Sequence, residues 1–184
     1  VETVKPQLGV EYARNFGITS LTDTDYNPAL ALGGITKGVS NLELTGAFAT
    51  IANGGVYTKP VFFTKILDHD GKVLIDNTPE THRVLKDSTA FLLTDAMAAS
   101  MDSSRKFSSS GPSSTSPAAK IPGMSAAGKS GTTSANNDIW FVGYTPYYTA
   151  GIWAGCDDNQ KLTKQNGGAS FHKAIWRKIM TRIH

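Results

Sequence analysis

The sequence predicts an α+β fold of the three-layer kind, an antiparallel sheet flanked by helices. Three observations lead there. The last third holds three β-rich segments, AAGKSGTT, DIWFVGYT and YTAGIWAGC, joined by short turns, which make an antiparallel meander. In the middle one, IWFV is apolar on both alternating faces, as in an interior strand covered on both sides. Amphipathic helical patterns occur before and after the meander, so covers for both faces are at hand.

The elements follow in order. Leu8, Tyr12 and Phe16 recur at i, i+4, i+8, a helical apolar face that Gly17 closes. After the polar loop TSLTDTDYNP, a second helix is signalled in GVSNLELTGAFATIANGG. Ser40 and Glu43 spell a capping box, Val39 and Leu44 stand where a hydrophobic staple sits, and Asn53-Gly54-Gly55 ends the helix. Leu44, Ala47, Phe48 and Ile51 form its apolar face. VYTKPVFFTKILDHDGKVLID then breaks at Asp70-Gly71, a strong hairpin signal, and THRVL adds a short strand. Asp87 is placed to cap a helix from Ser88 to about Met101, with Ala90, Leu93, Met97 and Met101 on one side.

Residues 102–120, DSSRKFSSSGPSSTSPAAK, are dominated by Ser and Pro and hold one large apolar residue, Phe107. Such a stretch buries too little to offset its ordering entropy and is expected to be a flexible loop. The chain closes with GGASFHKAIWRKIMTRI, where Phe171, Ile175 and Ile179 make a stripe that Trp176 and Met180 widen. This helix is the natural cover for one face of the sheet.

Composition narrows the function. The 184 residues are 40% apolar and 18% charged, enough for one domain with a core. The net charge of +3 comes without a Lys/Arg cluster, and the cations from Lys173 to Arg182 fit the wet side of a helix, which argues against nucleic acid. One cysteine, Cys156, forms no internal disulfide, and the four scattered histidines show no metal-ligand spacing, so no cofactor is implied. Asp157-Asp158-Asn159 lacks a calcium-loop pattern and reads as a solvated turn. Trp140, Tyr144 and Trp153 read as core aromatics.

Chemistry concentrates at Lys129-Ser130-Gly131-Thr132-Thr133. On a strand, Lys129 and Gly131 point one way and Ser130 and Thr132 the other, with the two hydroxyls about 7 Å apart. Gly131 lets a ligand approach the backbone closely. At a sheet edge, such a strand can bond an extended peptide, and Lys129 supplies positive charge for an anionic end. A bare K-S-G tripeptide is more often a solvated turn, but this one heads a β segment and a buried strand follows.

KSGT followed by NNDIWFVGYTPYYTAGIWAGCDDN resembles the C-terminal part of the transpeptidase domain of class A penicillin-binding proteins. NPALALGGITKGVSNLELTGAFATIANGGVYTKPVFFTKILDHDGKVL is similar to the segment that those proteins carry between their second and third active-site motifs. The resemblance covers essentially the whole chain except the Ser-rich loop. It implies a serine acyltransferase in which S-x-x-K supplies the nucleophile, S-x-N a proton relay and an amide, and K-T/S-G the opposite wall. Its substrates are peptidoglycan stem peptides ending in D-Ala-D-Ala, and β-lactam antibiotics acylate the same serine. On these positions it makes Lys129 and the amide of Thr132 catalytic, and it gives substrate binding to Ser130, Gly131, Thr132 and Thr133.

Two strings imitate the other motifs: Ser103–Lys106 spells S-x-x-K and Ser134–Asn136 spells S-x-N. Ser103 lies in the loosest segment and Ser134 in the turn of the hairpin that carries Lys129, so neither suits the role. The expectation is therefore that residues 1–184 are the C-terminal portion of a single transpeptidase domain, inert alone. The missing N-terminal half of the domain and a membrane anchor belong upstream, and the location is the extracytoplasmic face of a bacterial membrane. The alternatives are a D-Ala-D-Ala carboxypeptidase or β-lactamase, in which water is the acceptor, and a sensor acylated without turnover.

Overall fold

The computed structural model describes residues 4–105, 114–163 and 170–184. Helix α1 (Pro6–Asn15) starts on a proline, whose missing N–H is no loss in a first turn, and ends where Gly17 turns left-handed at φ 89°. Its buried residue is Val10, whereas Leu8 and Tyr12 are each 42% exposed. The stripe expected on the inner side is thus left uncovered. Two short 3-10 turns follow, Asp23–Asp25 and Pro28–Leu32. The carboxylate of Asp25 is fully buried and accepts the amides of Thr22 and Thr36, both at 2.7 Å, and both threonine hydroxyls. Those bonds, led by the two backbone amides, hold its pKa far below the ordinary carboxylate range.

Helix α2 (Asn41–Ala52) begins as the sequence predicts. Ser40 Oγ accepts the amide of Glu43 at 3.2 Å, and Glu43 returns the bond to the Ser40 amide at 3.1 Å. Glu43 also accepts the amide and hydroxyl of Thr19, at 2.9 and 2.6 Å. Burial pushes its carboxyl up, but these bonds outweigh that and hold its pKa at about 2. Strands β1 (Val56–Thr58), β2 (Lys65–Leu67), β3 (Val73–Asp76) and β4 (Thr81–Arg83) form two antiparallel ribbons, β1 with β4 and β2 with β3. The second ribbon turns at Asp70-Gly71, where Gly71 has φ 81°.

Helix α3 (Asp87–Met101) differs from expectation at its start. Lys86 occupies the N-cap, with no side-chain cap bond, and Asp87 lies inside the first turn. There its carboxylate accepts Arg83 Nη1 at 2.6 Å while still facing the positive helix end. Of the region expected to be a loose loop, 102–120, residues 106–113 lie outside the described residues, and 114–120 are firmer than their composition predicts. Pro117–Ala119 form a 3-10 turn, and Ser116 and Ala119 are fully buried. The Ser116 amide bonds Ser100 O at 2.9 Å, and Ala119 is small enough to enter the core. Phe107 lies outside the described residues.

Strands β5 (Ala127–Thr132), β6 (Asp138–Tyr144) and β7 (Thr149–Gly155) form the predicted antiparallel meander, in that order. Helices cover both faces. Gly151, opposite Val142, approaches Asn41 and Thr45 of α2, and Asn41 donates to Gly151 O at 3.2 Å. The neighbouring positions Phe141 and Gly143 point the other way, towards Trp176 of helix α4 (Phe171–Ile183). Helix α3 packs against β5.

The inner stripe of α4 is His172, Trp176 and Met180, while Ile175 and Ile179 are 39% and 40% exposed. The helix is therefore rotated from the Phe171–Ile175–Ile179 stripe. Trp176 sets the rotation: its ring meets Phe141 edge-on at 5.1 Å, crosses Gly143, and donates from Nε1 to Ala150 O at 3.0 Å. Met101, Ala119, Ile121 and Met180 complete this core. His172 is buried, and among the described residues neither ring nitrogen has a hydrogen-bond partner. Burial, and then the charge of Lys173, lower its pKa to about 4.

A second, smaller core holds Val10, Ile18 and Leu21. Beside it runs an apolar groove of about 510 Å³ between α1, the Pro28–Leu32 turn and α2, lined among others by Tyr12, Phe16, Leu30, Leu44, Phe48 and Ile51.

Candidate active site

Small residues start β5 because nothing larger fits. A Cβ on Gly128 would stand 2.7 Å from the Phe141 ring and 2.9 Å from Val142 O. Gly131 is different. A Cβ there would meet only Trp140 Cβ, at an ordinary 3.4 Å, and its backbone is not left-handed. Neither packing nor conformation requires glycine at 131, so what the position provides is open space beside the strand.

Among the described residues β5 pairs with β6 alone, which leaves its other side an edge. The ladder phase settles which groups face that edge. Thr133 N–H donates to Asp138 O at 3.1 Å, so Thr133 and Asp138 are a hydrogen-bonded pair. An antiparallel ladder alternates. With Thr132 opposite Ile139 and Ser130 opposite Phe141, Lys129 and Gly131 bond towards β6. The amides and carbonyls of Gly128, Ser130 and Thr132 point outwards. Two side chains agree with this phase. Ser100 Oγ donates to Gly128 O at 2.9 Å, and Lys129 Nζ donates to Ser130 O at 2.7 Å.

The side chains divide as the period of two requires. Ser130 shares the α4 face with Phe141, as does Thr132, and Lys129 and Gly131 take the α2–α3 face. Lys129 and Thr132 are exposed, Ser130 and Gly131 half-buried. A second cation stands near: Lys173 has its pKa lowered by burial and then by the charge of Lys129.

Thr133, placed in the site by its sequence neighbours, is engaged elsewhere. Its amide goes to Asp138 O, and its hydroxyl accepts the amides of Asn137 and Asp138, both at 3.0 Å. It closes the β5–β6 turn. Ser134 lies in that turn, and Ser103 in a turn just past α3. Lys106 lies outside the described residues. Tyr144 is buried with its hydroxyl 2.7 Å from Thr94 Oγ1, and Trp153 donates to Asp138 at 3.0 Å, both structural contacts. Cys156 is half-buried just beyond β7. Among the described residues no three His, Cys, Asp or Glu side chains gather to hold a metal ion.

Sequence reasoning missed Ser100 and Lys173. Both reach the surroundings of β5 from helices distant in the chain, and no local pattern marks them.

The arrangement is thus an open strand edge with outward amides, two hydroxyls, an ammonium and a gap at Gly131. The family described as the penicillin-binding protein transpeptidase domain matches residues 12–181. The chain belongs to that family. Penicillin-binding protein 1A of Clostridium tetani is 33% identical over 192 residues, covering 97% of this chain and 23% of that protein. The chain spans about a quarter of the length of that penicillin-binding protein. Among solved structures, penicillin-binding protein PonA1 of Mycobacterium tuberculosis superposes with a TM-score of 0.71 at 25% identity, over 91% of this chain and 47% of that one. The D,D-transpeptidase domain of a peptidoglycan glycosyltransferase from Eggerthella lenta shares the fold, with a TM-score of 0.65 at 21% identity, over 97% of this chain and 49% of that one.

Proposed function

We propose that the chain forms the K-S-G wall of a peptidoglycan DD-transpeptidase, and that the nucleophilic serine, its lysine and the S-x-N pair stand on polypeptide outside these 184 residues. The observation that carries this reading is the unpaired edge of β5, with the amides of Ser130 and Thr132 turned outwards. A stem peptide ending in D-Ala-D-Ala adds to that edge as an extended strand. Its terminal carboxylate meets the hydroxyls of Ser130 and Thr132 in the field of Lys129. The peptide backbone lies across the gap at Gly131.

The serine oxygen adds to the penultimate carbonyl carbon, and the charge that develops on the carbonyl oxygen is taken by the Thr132 N–H. Such a donor contributes about 3 kcal/mol in comparable acyl-transfer sites. Collapse breaks the C–N bond, and the terminal D-Ala leaves with the serine's proton on its amine. An amine from a neighbouring stem peptide then displaces the serine and completes the cross-link. A β-lactam enters as the same donor, but its ring C–N bond opens without releasing a fragment, so the acyl-enzyme persists.

Two observations support a missing half. The chain matches 49% of the Eggerthella lenta domain while using 97% of itself. The groove between α1 and α2 is an apolar face that the described residues leave uncovered, and the other half of the domain is its cover. The site works on the extracytoplasmic side of the membrane, where its substrate is, with the anchor on the other polypeptide. No described helix is long and apolar enough to cross a membrane.

Fluorescent penicillin tests the reading. The 184-residue chain is expected to show no covalent adduct, the longer polypeptide that carries it a stoichiometric one, and Lys129→Ala in that polypeptide a severe loss of labelling rate. An adduct on the isolated chain would place the nucleophile here and overturn the proposal.

A further inference from the structure

The open edge of β5 is short, and what shortens it comes from other elements. Its outward positions are Gly128, Ser130 and Thr132; the carbonyl of Ser130 is held by the neighbouring Lys129, and that of Gly128 by a residue from another element. Ser100 Oγ, in the last turn of α3, donates to Gly128 O at 2.9 Å. Behind it, the Ser116 amide donates to Ser100 O at 2.9 Å and ties residues 114–119 across the end of α3. From the opposite face Lys173 Nζ donates to Thr115 O at 2.7 Å. Ser116 and Ala119 are fully buried, so this strap is packed in place rather than draped over the surface. The hydroxyl of Ser100 thus stands where the next hydrogen bond of an added strand would form.

Because ladder positions repeat every second residue, a peptide on this edge pairs fully at Thr132, meets at Ser130 an outward N–H beside a carbonyl that Lys129 already holds, and has no partner beyond. It can continue past Thr132 but must stop at Ser130. At the stop sits Lys129, its Nζ 2.7 Å from Ser130 O, a cation suited to a chain-terminal carboxylate. We infer that Ser100 is a positioning residue that closes β5 at Gly128, so that the site takes the end of a peptide and rejects its middle. The inference rests on the transpeptidase reading and deepens it. It assigns the preference for a terminal dipeptide to a residue outside the K-S-G motif, acting through the strand's backbone.

The test uses the longer polypeptide that carries this chain and two donor peptides, one ending in D-Ala-D-Ala and one extended by a further glycine. The readout is the ratio of kcat/KM for the two donors, with fluorescent penicillin labelling reporting an intact site. The unsubstituted protein should strongly prefer the terminated donor. Ser100→Ala should lower that preference about tenfold, the scale on which a site discriminates by a single contact. Ser100→Thr, which keeps the hydroxyl, should restore it, and Lys173→Met, which loosens the strap, should lower it less. Should Ser100→Ala no longer be labelled, the Lys173→Met ratio decides. An unchanged ratio in a labelled variant overturns the inference and leaves the transpeptidase reading standing. Failure of the unsubstituted protein to label overturns that reading itself.

Discussion

The two cores that the described residues form are finished to different degrees. Around Trp176 the packing is closed: Phe141, Trp176, Met180 and Ala119 are all fully buried, and the indole N–H has its acceptor. Around Val10, Ile18 and Leu21 the packing is open on one side, where Phe48, Leu30 and Ile51 line a groove instead of an interior. The closed core supports the strand that carries Lys129. The open one lies beneath the helices. The contrast teaches that apolar periodicity marks which residues want cover without saying whether the same 184 residues supply it.

The largest expected effect breaks the closed core. Trp176→Ala should cost about 3–5 kcal/mol, as for other buried aromatics, read by denaturant unfolding of the isolated chain. Phe48→Ala on the groove should cost well under half of that in the same chain and much more in the longer polypeptide. Equal losses in the short chain would erase the distinction between the cores. Ser40→Ala removes the capping box of α2 and should cost about 1 kcal/mol in either setting. A loss below a few tenths would show that Glu43 and Thr19 hold the helix start unaided.

The last expected effect is confined to acid and lies at His172. Its folded pKa of about 4 stands below the ordinary 6.5, so between these values the unfolded chain binds more protons than the folded one. Stability from this group is complete above pH 6.5, falls as the pH drops through that window, and changes no further below about 4. His172→Leu should flatten that part of the stability profile. A profile with the same slope in the variant would assign the slope to other groups, though not to Glu43, whose stabilisation is lost only as the pH falls from about 4.5 towards 2.

The parts of the fold that were legible in the sequence rest on local chemistry. Ser40 and Glu43 lie three residues apart and cap the helix that they predict. Asp70-Gly71 turns a hairpin because Gly71 alone can take φ 81° cheaply. The K-S-G strand is where its spacing puts it, because alternation follows from the backbone. What was not legible depends on partners far along the chain. The inner stripe of α4 differs from its periodicity because the rotation depends on where Trp176 meets Phe141 and Gly143, thirty-odd residues earlier in the chain. The 114–119 strap has the composition of a loop, while its order comes from Ser100 on α3. Asp87 is the local exception: Lys86 takes the N-cap, and Asp87, one residue inside, pairs with Arg83 only four residues earlier.

One small contact at the margin of the sheet has a further consequence. A bare strand margin invites any sticky segment, including one from another copy of the same chain. Here two of the three outward carbonyls are already shielded, one by a hydroxyl from α3 and one by the ammonium of Lys129. A wandering β segment therefore finds few free acceptors and a positive charge to desolvate. A visitor that carries its own negative charge can trade with the ammonium and seat itself, so the margin stays reserved for guests that arrive with the right ending.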